Sequence, residues 1–118
     1  MIEIIRKIKG FIQRGFRGWS NSDTWEFYHY VSNVIAGGTR YLLKYQNGYP
    51  ASLTEKKWNE KLKEMIWAFE YYRDATDLWF QDVKRVGSIQ ADENQKINEK
   101  RAKEGLKIFI EHFRDLWD

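Results

Sequence analysis

Residues 53–86 read LTEKKWNEKLKEMIWAFEYYRDATDLWFQDVKRV. Within that stretch Trp58, Leu62, Met65, Phe69, Tyr72, Thr76, Trp79, Val83 and Val86 recur at spacings that alternate four and three. This is a heptad-like seam, the signature of one face of a helix and not of a strand. Thr54 stands where an N-cap belongs, and Leu53 with Trp58 fills the two positions of a hydrophobic staple. Unbroken, the helix would span about 45–50 Å at 1.5 Å per residue. Asp74-Ala75-Thr76-Asp77 is the point at which a fresh N-cap could divide it. Trp67, Tyr71 and Phe80 fall off the seam, so a second apolar face exists.

Upstream, Gln46-Asn47-Gly48-Tyr49-Pro50 is a turn, with Gly48 free to take positive φ and Pro50 restraining its neighbour. Before it, Asp23 and Glu26 have the spacing of a capping box, with Ser20 and Ser22 competing for the cap role, which predicts a helix from there to about Tyr45. Phe27, Tyr28, Val31, Val34, Ile35 and Leu42 cover most of its circumference and leave a narrow polar stripe of Glu26, His29, Asn33, Arg40 and Lys44. Such a helix is expected at the centre of the fold. Gly37-Gly38 would let another backbone approach or permit a bend. The first helix carries Met1, Ile5, Ile8 and Ile12 on one face, widened by Ile4 and Phe11, and ends at Gly15 and Gly18. The plain reading is an amphipathic helix docked by that face, its basic side in water. The sharper one is an anion-binding or membrane-surface helix.

Downstream, Gly87-Ser88 closes the long helix, and Asp92-Glu93-Asn94-Gln95 opens a last one with acids in its first turn. Residues 90–104 are mostly polar, predicting a solvated face, and the apolar stripe resumes at Ala102, Leu106, Phe109, Phe113 and Leu116. The expectation is an all-α, four-helix single domain over residues 1–118 with one long central helix, its bundle completed by oligomerisation through that helix.

A chain of 118 residues can bury a core without staples. With no cysteine there is no disulfide, thiolate metal site or cysteine nucleophile. No apolar run reaches the length of a membrane span, and the N-terminus lacks the pattern of a signal peptide, so a soluble cytoplasmic protein with no membrane partner is expected. The net charge of +3 is unevenly placed: residues 1–18 carry +4 and the remaining hundred −1.

Glu26 and His29 have the Glu-x-x-His spacing that lets a helix offer one metal two ligands, and Glu70 could join them. The second histidine, His112, has Phe109 where a second such motif needs a carboxylate. No Gly-x-Ser-x-Gly and no phosphate-cradling loop occurs. Basic and aromatic residues interleave near the N-terminus, but too few cations and no recognition motif speak for nucleic acid. A smaller anion fits better. Arg14, Arg17, Trp19, Trp25, Tyr28 and Tyr49 could stack a base and pair a phosphate, with Ser20 and Asp23 adding hydrogen bonds. The alternative for the same rings is core or staple duty.

Arg17-Gly18-Trp19-Ser20 with Asp23 and Trp25, the run Tyr28 to Ile35, Gly48-Tyr49-Pro50 and Leu53-Thr54 resemble a family of short proteins of tailed bacteriophages. Trp58, Leu62, Met65-Ile66 and Phe69-Glu70 extend the likeness, which covers residues 14–72. In that pattern an acid often stands where this chain has Asn21, a departure that weighs against metal binding by the loop. The resemblance implies a setting, an infected bacterium, but no activity to carry over. The expectation is therefore a non-enzymatic accessory protein without a cofactor, forming a homo-oligomer and countering host defence by sequestering a small anionic ligand such as a nucleotide signal. In that reading Arg17 pairs phosphate while Trp19, Trp25 and Tyr49 stack. An inhibitor of a host protein working through exposed rings around Trp67 and Phe80 is the second reading. A metal-dependent hydrolase using Glu26, His29 and Glu70 is the third.

Overall fold

The computed structural model describes residues 1–117 and is all-α. Four helices, α1 (Ile2–Arg17), α2 (Phe27–Tyr45), α3 (Glu55–Val86) and α4 (Ser88–Glu111), are joined by short connections. Two 3-10 turns, Asn21–Thr24 and Phe113–Asp115, complete the chain.

The seam of α3 organises everything else. Thr54 caps it, its Oγ1 accepting the Lys57 N–H at 3.2 Å. Leu53 packs on the fully buried cluster of Trp58, Leu62 and Met65, as the staple requires. The helix runs unbroken through Asp74-Ala75-Thr76-Asp77. The Asp74 carboxylate is gripped by the Arg73 guanidinium at 2.8 and 2.9 Å, which occupies the oxygens a new N-cap would need. The first half of the seam is filled from within the chain: Leu43 of α2 and Ile108 and Phe109 of α4 close over the Trp58 cluster. Oligomerisation through this part of the long helix is therefore not open to it.

The reversal into α4 takes one residue. Gly87 sits at φ 87°, a conformation side-chain-bearing residues avoid, and its carbonyl accepts the Ala91 N–H at 3.0 Å. Helix α4 accordingly starts at Ser88, four residues ahead of the Asp92 start expected from its acids. Its polar segment is not free in solvent throughout. Asp92 accepts from the Trp79 indole at 2.8 Å, Glu99 from the Tyr71 hydroxyl at 3.1 Å, and Arg101 bridges Glu64 at 3.0 Å while lying 4.0 Å over the Trp67 ring. The two helices meet closely at Gly105. A Cβ there would fall on that of Ala68 and 2.7 Å from the Glu64 carbonyl oxygen.

Helix α2 packs on α3, as α4 does, and does not lie at the centre of the fold. It buries its small residues, Ser32, Ala36 and Thr39, and turns Phe27, Val34, Tyr41 and Tyr45 outward. Apolar coverage read from the sequence alone misplaces the helix, because close helix contact selects small side chains and not large ones. A Cβ at Gly37 or Gly38 would meet nothing within 4 Å, so no close packing inside the chain requires the pair.

The larger correction concerns α1. Its apolar arc is not docked: Ile4, Ile5, Ile8, Phe11 and Ile12 are all exposed, and the one buried residue of the helix is Gly10. Polar bonds to the 3-10 turn hold α1 by the opposite side. The result is an open, flat molecule of 53 × 44 × 20 Å with a radius of gyration of 17.2 Å. A compact domain of this length has about 13.5 Å.

Candidate functional site

The corner where α1 meets the 3-10 turn and α2 collects most of the chemistry read from the sequence. Gly18 ends α1 in the left-handed conformation at φ 84° and returns its N–H to the Arg14 carbonyl at 2.8 Å. Ser20 is buried against Gly10, with its Cβ 3.6 Å from where a methyl at Gly10 would stand. The reciprocal capping pair is Ser20 with Asp23, three residues earlier than the expected Asp23 with Glu26. Asp23 Oδ2 accepts the Ser20 backbone N–H at 2.7 Å, while Glu26 heads α2 with no side-chain bond to it. The cause of the shift is Arg14. Its guanidinium grips both Asp23 oxygens, at 2.7 and 2.9 Å, and orients the carboxylate toward Ser20. That bidentate bond, with the Ser20 N–H, holds the Asp23 carboxyl well below the usual carboxylate range.

The other expected ligand groups divide clearly. Arg17 lies 3.8 Å over the Trp19 ring, donates to the Trp19 carbonyl at 2.9 Å and bonds Asn21 Oδ1. The Tyr30 hydroxyl donates to the Gly18 carbonyl. Arg14, Arg17, Ser20 and Asp23 therefore build the corner and have their polar groups engaged in it, with the Trp19 ring packed beneath Arg17. Trp25 is free, 89% exposed and held by its backbone N–H to Ser22. Tyr28 is an exposed residue of α2. Tyr49 stands apart, lining a 240 Å³ cleft with Pro50, Asp115 and Trp117.

Trp25 borders two clefts. One, of about 590 Å³, lies between α1 and the 3-10 turn and is lined by Arg6, Lys9, Gly10, Gln13, Asn21, Ser22 and Trp25. Among the described residues neither Arg6 nor Lys9 makes an ion pair. The other, of about 560 Å³, is lined by Asp23, Glu26, His29, Tyr30 and Asn33 beside Ser22 and Trp25. One side is cationic without an acid, the other acidic with one imidazole. The sequence reading put Arg6 and Lys9 on the basic side of α1, whose sharper reading is anion binding, but did not count them, Gln13 or Asn21 among the ligand residues. The signal was present, since spacings of three and four put Arg6, Lys9 and Gln13 on the polar side of α1 that Gly10 opens.

The metal reading does not assemble. Glu70 is bonded to Arg40 and lies 3.8 Å from Arg73. Among the described residues no three His, Cys, Asp or Glu side chains come together where one ion could be held. The face around Trp67 is not open either, since that ring stacks on Tyr71 at 5.5 Å beneath Arg101, while Phe80 is exposed. No described helix is long and apolar enough to cross a membrane. Comparison with protein-family models, curated proteins and solved structures finds no match to this chain.

Proposed function

We propose that the chain binds and sequesters a small anionic ligand bearing a flat ring, a nucleotide being the plainest case, in the cleft between α1 and the 3-10 turn. The observation that carries this is the pairing of two uncompensated cations, Arg6 and Lys9, with the exposed Trp25 ring on one 590 Å³ cleft. Guanidinium and ammonium groups supply phosphate contacts, an indole face supplies stacking, and Gln13 and Asn21 offer amides for orientation. Arg14, Arg17, Ser20 and Asp23 support the reading as the scaffold that fixes the turn across from α1. Binding is favoured over turnover because the lining holds no carboxylate or imidazole to act as general acid or base. In the phage setting implied by the sequence resemblance, such a site would withdraw a nucleotide signal from the infected cell.

Native mass spectrometry of protein purified from bacteria, followed by calorimetric titration with AMP, ADP and cyclic dinucleotides, tests this. A bound nucleotide, weakened at least tenfold in Arg6→Ala/Lys9→Ala and in Trp25→Leu, is the expected result. Absence of both a co-purified ligand and any titratable nucleotide removes the proposal.

A second reading, inhibition of a host protein, is favoured by one observation: α1 is held by its polar side, so Ile4, Ile5, Ile8, Phe11 and Ile12 point away from the body of the molecule. That arc, and not the Trp67 face, would carry such binding. A photo-crosslinker at Ile8 that yields no product with host proteins, where one at Phe11 also yields none, would remove it.

A further inference from the structure

Helix α2 has a face that nothing in the chain covers. At 100° per residue Val34, Gly37, Gly38, Tyr41 and Tyr45 lie opposite Ser32, Ala36 and Thr39, the residues it buries on α3. Val34 is 54% exposed, Tyr41 59% and Tyr45 50%. The face carries no charged residue; Arg40 at its rim is bonded to Glu70, and Lys44 lies against the Tyr45 ring at 5.2 Å. A stretch rich in tyrosine and empty of charge has the composition of the buried middle of a protein–protein contact.

From this face we infer that the occupant is a second copy of this chain, packed antiparallel across a two-fold axis at Gly37-Gly38. Two features of α2 and one of the whole chain point to it. The first is order along the helix. Val34 and Tyr41 stand symmetrically about the Gly37–Gly38 bond. A two-fold contact requires this self-complementarity: Val34 meets the partner's Tyr41 while Tyr41 meets the partner's Val34. The second is the glycine pair itself. Two adjacent glycines weaken a helix, and since a Cβ at either would meet nothing within 4 Å, no close packing inside the chain requires them. At a crossing point they let two backbones come together. The third is area. A compact protein of 14.3 kDa exposes about 6,800 Å², whereas this chain exposes 8995 Å². The excess of about 2,200 Å² belongs to the whole chain, the exposed arc of α1 included, and is larger than the roughly 800 Å² that each partner gives to a standard stable interface. The arc of α1 is a poorer self-contact, because Lys7 and Lys9 flank it and two such helices would bring like charges together.

Light scattering and sedimentation velocity on the full chain test this, with Gly38→Leu as the blocking variant. Leucine adds bulk into open space and favours helix, so the fold is retained and circular dichroism verifies it. A dimer for the parent and a monomer for Gly38→Leu are expected. Because the chain has no cysteine, Val34→Cys with Tyr41→Cys in one chain reports the register directly. It should give a disulfide-linked dimer on mild oxidation, and Val34→Cys with Lys57→Cys should not. A monomeric parent overturns the inference. So does a dimer that survives Gly38→Leu and does not crosslink through the 34/41 pair, whether or not Ile8→Glu then dissociates it.

Discussion

Replacing Gly105 by alanine should destabilise the protein, although the same exchange in an open helix stabilises it. The added methyl would overlap the Ala68 Cβ and stand 2.7 Å from the Glu64 carbonyl oxygen. Neither neighbour is the end of a flexible side chain, so relief requires α4 to move off α3. That movement loosens the contacts on both sides, Ala102 against Ala68 and Tyr71, and Phe109 against Phe69 at 4.9 Å. Overpacking of a tight core costs about 1–3 kcal/mol, and a clash with backbone belongs at the upper end. Helix propensity returns about 1 kcal/mol. The net loss is about 2 kcal/mol, which for a chain of this length lowers Tm by roughly 8 °C. The assay is thermal unfolding followed by circular dichroism, beside Gly15→Ala, where the new methyl meets nothing within 4 Å and Tm should not fall. If Gly105→Ala melts at or above the parent temperature, α3 and α4 do not approach as closely as described, and the reasoning fails.

The Asp23 carboxyl has a folded pKa below its unfolded value, so its contribution to the corner is present above about pH 4 and is lost as pH falls through the depressed folded value. Asp23→Asn should remove that acid dependence and cost roughly 1–2 kcal/mol of local stability, read as faster proteolysis between α1 and α2. Burial, reinforced by Glu99, pushes the Tyr71 hydroxyl up to about 12. Its contribution to stability is therefore whole below about pH 10 and declines as pH rises through 12; burial raises the neighbouring Tyr72 hydroxyl as well, so absorbance titration should show late tyrosine ionisation that Tyr71→Phe diminishes by one group. Ile8→Gln, on the exposed arc of α1, should leave the unfolding midpoint of the remaining helices within about 0.5 kcal/mol of the parent, whereas a docked helix would lose several times that. Trp58→Phe deprives Gln46 of the indole N–H it accepts at 3.0 Å and opens space in the Leu62–Met65 cluster, so chemical denaturation should show a loss of about 2 kcal/mol or more.

Local chemistry determined much of this molecule. The alternation of fours and threes from Trp58 onward, the Thr54 cap, the Leu53 staple and the turn before Pro50 act within a few residues of one another. They specify helices, and their ends at Thr54 and Gly87, without reference to the rest of the chain. At the candidate site the residues singled out in the sequence, Arg14, Arg17, Trp19, Ser20 and Asp23, do come together at one corner, with Trp25 exposed beside them. What it left undecided is which face of each helix meets which neighbour. Apolar periodicity says that a face seeks cover; it does not say whether cover comes from the same chain. The arc of α1 and the tyrosine face of α2 look as buriable in the sequence as the seam of α3, yet only the first half of the seam is closed from within. The choice fell to contacts between residues distant in sequence: Gly105 over Ala68, small α2 residues on α3, and Arg14 reaching nine residues on to Asp23. That last bond moved the capping pair, engaged an arginine expected to meet ligand, and left Arg6 and Lys9 as the open cations. A bidentate ion pair outcompetes a local cap because it is charge-assisted at both ends, and its geometry exists only once the chain has folded back on itself.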